Sequence, residues 1–325
     1  MQIKSEVVAS KEKEDNNRAV ETLLLPANNP NAALLSAETK GWPRLKRLGT
    51  VVRFLRRNPM TLVGVIIVLA WITIAVLAPL IAPYNPTAQA FKVRNKPPSA
   101  EHWFGTDELG RDIFSRVLYG AQLSLPIGFI LISLASVIGT IVGLVSGYFG
   151  GWVDEVIMRL TDLIFAFPII ILAMTIATAL GRSVINAVIA ILIVWWPSYA
   201  RTVRSMVLVI KTQDFVLASR AVGAKPLRIM FKQVLPNLIQ SILVITFIDI
   251  GNGILVFSSL SFLGLGPKPT DAEWGVMTAA GVSDLNDWWR TTFPGLAIAS
   301  TVLAFNLIGD GLRDLLDPRF RNNSR

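Results

Sequence analysis

The chain has 325 residues, 52% hydrophobic and only 16% charged, with no cysteine, one histidine and a formal net charge of +9. Mean hydropathy is +0.53, and a soluble domain carries about 25% charged residues. This composition therefore points to lipid and excludes disulfides, thiolate chemistry and a His/Cys metal cluster. The positive balance calls for no nucleic acid, because membrane proteins gather Lys and Arg in their cytoplasmic segments.

Residues 1–40 are polar and mixed in charge, without an apolar core flanked by a small-residue cleavage site. They are expected to form a flexible cytoplasmic tail, not a secretory signal. Over 41–58, Trp42, Leu45, Leu48, Val52 and Leu55 recur at helical spacing with Arg and Lys on the other face. That pattern predicts a basic amphipathic helix along the inner membrane surface.

Six apolar runs then approach the roughly 20 residues a bilayer requires: 59–81, 121–147, 163–180, 183–199, 238–263 and 292–308. Run length, and the need to satisfy every backbone polar group internally, make them helices. Lys40, Arg44, Lys46, Arg47, Arg53, Arg56 and Arg57 precede the first. Arg201, Arg204, Lys211, Arg220, Lys225, Arg228 and Lys232 lie between the fourth and fifth against Asp214 alone. The segment before the sixth is acidic, with Asp271, Glu273, Asp284 and Asp287. Both basic segments are thus expected in the cytoplasm with both termini, and the acidic one outside.

Within the second run, "GTIVGLVSG" sets Gly139, Gly143 and Gly147 on one face, a surface for close helix contact inside the chain or with a partner. Pro126, Pro168 and Pro197 are expected kinks. Asp249 is an acid at membrane depth, a functional candidate by default. With Asn252 it either lines a path or forms a paired structural carboxylate.

The basic segment "LASRAVGAKPLRIMFKQVLPN" spans 217–237. Asp214 is expected to cap a short helix over 215–222, and Gly223 to supply its left-handed end. Pro226 opens a second helix that should stop before Pro236. Ala218, Ser219 and Ala221 admit a close backbone. Leu227, Met230, Phe231 and Val234 are expected on one face, with Arg228 and Lys232 on another. Two such helices make a knob for another protein, with an ordinary membrane-surface hairpin as the alternative. Outside, in "EHWFGTDELGRDIFSRVLYGAQLSLPIG", Gly105 and Gly110 allow turns, Thr106 or Asp107 can cap, and Arg111 with Asp112 can pair locally or across subunits. Phe114, Val117, Leu118 and Ala121 run as an apolar stripe into the second span. His102 reads as structural before it reads as a metal ligand.

Nucleotide chemistry is missing. No Gly-x-x-x-x-Gly-Lys-[Ser/Thr] occurs, "GLGPKP" and "GNGILV" lack the setting of a dinucleotide fingerprint, and no hydrolase motif appears. No catalytic, cofactor-binding or metal-binding residue is expected.

Gly223 followed by "IMFKQVLPN" resembles the EAA loop of permease subunits of binding-protein-dependent ABC importers, although Leu217-Ala218-Ser219 stands where that pattern opens Glu-Ala-Ala. The stretch from His102 through Gly105, Thr106, Asp107, Gly110, Arg111 and Asp112 resembles the signature of the C-type permease of dipeptide, oligopeptide and nickel importers. "GGWVDEVIMRLTD" and "NLIGDGLRDLLDPR" extend the likeness over about 56–319. The resemblance implies an all-α membrane protein of six transmembrane helices in a bacterial or archaeal cytoplasmic membrane. It divides into a first helix with external loop (59–120), a core (121–312) with coupling loop 211–237, and a tail (313–325). It further implies a second permease as heterodimer partner, two cytoplasmic ATPases that use ATP and Mg, and an external substrate-binding protein. The cargo would be a di- or oligopeptide or nickel. In that family the loop docks in a groove of the ATPase. The external motif would contact the binding protein, close the outer gate or brace the bundle. An ion-coupled secondary transporter is the alternative, and would call for several buried carboxylates and repeated halves. A non-transporting membrane scaffold would leave the docking knob unexplained.

Overall fold

The computed structural model describes residues 58–282 and 285–316, together with Leu55. The expected tail over 1–40, most of the expected surface helix over 41–58 and the segment beyond Leu316 lie outside those residues.

Helix α1 is Pro59–Ile81, as its apolar run predicts. It opens on Pro59, whose missing N–H is no loss in a first turn. Helix α2, Ile113–Phe149, has 37 residues, or about 55 Å against a hydrocarbon layer of about 30 Å. Its first turns therefore stand clear of that layer. The expected third span, 163–180, is corrected: α3 (Gly151–Phe165) and α4 (Ile169–Leu180) meet at 90°. Pro168 is the cause. It is extended at ψ 126, and it biases Phe167 away from helix.

Helix α5, Val184–Ile210, is capped by Ser183, whose side chain accepts from the Ile185 N–H. It outruns the expected end at 199, so Arg201 and Arg204 are helix residues, not loop charges. Helices α6 (Asp214–Ala221) and α7 (Pro226–Ile229) follow. One π turn over Met230–Val234 joins α7 to α8, Leu235–Phe262. A short helix that periodicity did not announce, α9 (Trp274–Val282), precedes α10, Trp289–Leu316. Among the described residues five helices are long and apolar enough to cross a membrane, or six if the bent pair α3–α4 is one span. Pro126 and Pro197 lie inside α2 and α5 without ending them. Among the described residues there is no strand, only an isolated bridge between Thr106 and Asp112.

The bundle is organised on the seam between α2 and α5, its most extensive helix pair. A Cβ at Gly139 would lie 2.3 Å from the Tyr199 Cβ, and one at Gly143 would lie 2.4 Å from the Ala200 carbonyl oxygen. The glycine face is thus closed inside the chain, against α5. Leu131, Ile132, Ile191, Val194, Ile254 and Phe257 fill the core beside it. A second cluster at the basic end joins Leu144, Val207, Val216, Met230 and Val234. A third, at the opposite or cap end, joins Val117, Trp274 and Trp289.

Candidate functional site

The basic end carries a two-helix knob. Gln213, not Asp214, precedes α6 as its cap residue. Asp214 sits inside the first turn, where a carboxylate still favours the helix dipole. At the other end Gly223 has φ +79. Its N–H donates to the Arg220 carbonyl at 2.9 Å and the Ala224 N–H to the Ser219 carbonyl at 3.0 Å. This is a Schellman closure, which needs a left-handed residue at Gly223.

Helix α7 starts at Pro226 as expected, but the coil it opens runs on through the π turn past Pro236, which lies in the first turn of α8. The π turn widens the spiral there and accommodates the proline ring and its missing donor. It also splits the expected apolar face. Ile229, Met230 and Val234 are buried against Leu144 and Val207, whereas Leu227 is 63% and Phe231 49% exposed. The inner stripe fastens the knob, and the outer residues are presented with Arg228 and Lys232, both exposed. Ala218, Ala221 and Pro236 are exposed too, while Ser219 is half-buried. Ser219 braces the knob, its hydroxyl accepting from the Gln233 side-chain amide at 2.6 Å.

Charged contacts fix the knob's footing. The Arg204 guanidinium grips Asp154 through two bonds of 2.5 and 2.6 Å. Arg201 donates to Asp162. Lys211 Nζ donates at 2.8 Å to the carbonyl of Gly147, in the last turn of α2. The Arg220 guanidinium lies 5.1 Å from the Tyr148 ring centre. Arg201, Arg204 and Lys211, counted in the sequence as sidedness signals, are thus structural.

At the cap end the motif over 102–112 folds inward. Asp112, not Thr106 or Asp107, caps α2: its Oδ2 accepts from Ser115 N at 2.8 Å and Ser115 Oγ at 2.7 Å. Its Oδ1 lies 2.9 Å from His102 Nδ1. Arg111 pairs with Asp107 at 2.6 Å, not with Asp112. The Thr106 hydroxyl donates to the Val93 carbonyl and accepts from Lys96 N. Gly105 and Gly110 have φ +74 and +73, and a Cβ at Gly110 would meet the Ala90 carbonyl oxygen at 2.0 Å. His102, Thr106, Asp107, Arg111 and Asp112 are all buried. These buried contacts brace the cap end. Removing the Asp112 carboxylate strands a helix cap and a buried imidazole. Asp112→Ala should therefore cost about 2–4 kcal/mol, read as a lower melting temperature of the detergent-solubilised chain; Asp112→Asn should lose less.

Several cap residues were not singled out in the sequence. Arg116 donates to the carbonyls of Pro86, Thr270 and Asp271 at 3.0, 3.3 and 2.9 Å. Glu273 is fully buried and accepts from the N–H groups of Gly275 and Val276, both at 2.9 Å. Burial pushes its carboxyl above the usual range, against the pull of these bonds. Trp274 Nε1 donates to the Val117 carbonyl at 3.0 Å, and its ring fills the space left by Gly120. The sequence signals were a tryptophan density and a glutamate directly before an apolar stretch.

In the middle of α8, Asp249 is half-buried. Trp195 Nε1 donates to its Oδ2 and the Asn252 amide to its Oδ1, both at 3.4 Å. The ion pairs of the described residues involve other carboxylates, so no cation stands opposite Asp249. The described residues also hold no group of three or more His, Cys, Asp or Glu able to hold a metal ion.

Residues 139–322 match the family model described as a binding-protein-dependent transport system inner membrane component. Residues 47–98 match the N-terminal transmembrane domain of oligopeptide transport permease C. The chain is 44% identical over 269 residues to a dipeptide transport system permease protein of Alkalihalophilus pseudofirmus, covering 82% of this chain and 88% of that one. It is 41% identical over 270 residues to a probable D,D-dipeptide transport system permease protein of Escherichia coli, covering 83% and 91%. A glutathione transport system permease protein of Escherichia coli is 44% identical over 271 residues, covering 83% and 89%.

Proposed function

The chain belongs to the binding-protein-dependent transport system inner membrane components, and on that premise we propose that it is a permease subunit of an ATP-driven importer of short peptides. The exposed knob of α6 and α7 carries this reading. It offers apolar Val222, Leu227 and Phe231 among Lys225, Arg228 and Lys232, and it continues through the π turn into a membrane-crossing helix. A partner that grips it moves that helix.

In this reading the knob and both termini face the cytoplasm. Two ATPase subunits dock there and supply ATP and Mg. A second, related permease completes the passage as a heterodimer, and a binding protein delivers cargo to the cap end. The chain itself performs no covalent chemistry: closing of the motor tilts the spans between inward- and outward-open states. Peptide is favoured over nickel because similar proteins bear dipeptide and glutathione names and Asp249 has no companion metal ligands.

The test is uptake into proteoliposomes holding both permeases, both ATPases and the cognate binding protein. Labelled dialanine should accumulate only with ATP inside the motor compartment, and nickel should not. Uptake by this chain alone, driven by a proton or sodium gradient, would establish the ion-coupled alternative instead.

A further inference from the structure

An acid held at membrane depth is costly, and it is kept where something compensates its charge. Among the described residues no cation pairs with Asp249, and it receives two bonds at 3.4 Å, the long limit of hydrogen bonding. A carboxylate has about four acceptor positions, so acceptor capacity is left over.

A second observation comes from α5. Tyr199, one turn after Trp195, is 2% exposed, and its hydroxyl lies beside Asp249 and Thr246 without a well-aligned hydrogen bond to either. The hydroxyl thus adds a second polar group beside the carboxylate. Next to Asp249 along α8, Ile248 opens onto a cleft of about 450 Å³ that Gln240, Ser241, Met206 and Arg313 line toward the basic end. That volume suits a small molecule. The donor set lacks the ligands of a metal site, whereas one carboxylate, a hydroxyl able to accept and aromatic side chains suit an organic ammonium.

We propose that Asp249, with Trp195, Tyr199 and Asn252, forms a subsite for the free ammonium terminus of a peptide in transit. The subsite rests on the peptide reading above. The peptide's ammonium supplies the counter-charge that Asp249 lacks among the described residues.

The experiment compares uptake of dialanine and N-acetyl-dialanine by the complete reconstituted transporter, wild type and variant, with the same binding protein throughout. Asp249→Asn should cut dialanine uptake about tenfold or more. Asp249→Glu, which keeps the charge, should restore most of it. Tyr199→Phe should lower it less, and any N-acetyl-dialanine uptake should not fall with Asp249→Asn. Undiminished dialanine uptake in Asp249→Asn overturns the subsite and leaves the peptide reading standing. So does an equal loss in the asparagine and glutamate variants, which marks a packing role. A wild-type assembly that takes up no dialanine overturns the peptide reading and the subsite with it.

Discussion

A Leu227→Asp, Phe231→Asp double variant is expected to fold like the wild type and to lose ATP-driven uptake by a hundredfold or more. Both side chains project from the knob, at 63% and 49% exposure, so a charge there disturbs no internal packing. On the function proposed above, they are the apolar anchors offered to the motor. Burying such a side chain is worth about 1.5–3 kcal/mol, and losing both weakens docking by two or more powers of ten. Co-purification of the ATPases with the permease pair measures the docking directly. The contrasting residues are Met230 and Val234, both fully buried: aspartate there should unfold the knob itself and lower the yield of the chain.

Gly143→Leu carries the largest expected loss of stability. Even a methyl group at this position would stand 2.4 Å from the Ala200 carbonyl oxygen and 2.9 Å from the Val203 Cβ. The first of these is backbone and cannot rotate away. A leucine must therefore pry α2 from α5 along the seam that organises the bundle. The cost exceeds the 1–3 kcal/mol typical of overpacking, and the chain should fail to accumulate in the membrane. Gly143→Ala should fall between. Gly295→Ala is the control, because no atom crowds that position and alanine is the better helix former; its melting temperature should stay level or rise. Loss of the chain with Gly295→Ala as well would mean that the assay reads any helix substitution, not the seam.

What the sequence disclosed depended on the range over which each signal acts. The span α1 was legible to the residue, because a proline start and an unbroken apolar run are local. The turn at Gly223 and the opening at Pro226 were local too. Helix α9 was not legible: it has nine residues, includes Gly275 and Gly281, and owes its form to burial of Trp274 against α2. The choice of Asp107 over Asp112 as partner of Arg111 could not be made from spacing, since both are near in sequence and only the folded cap places His102 on Asp112. The face of α7 was misjudged at Leu227 and Phe231 because a regular helical period was assumed across Met230–Val234. Asp249 was conspicuous as an acid in an apolar run, but its want of a counter-charge is a property of the neighbours that α5 brings to it.

The widened turn between Pro226 and Phe262 has a geometrical consequence of its own. It holds one residue more than an ordinary coil would, and each residue of α-helix advances the spiral by about 100°. Regularising that coil would swing everything beyond it, Asp249 included, by roughly a quarter of a revolution against the exposed face of the knob. A push delivered below could thus emerge above as a twist.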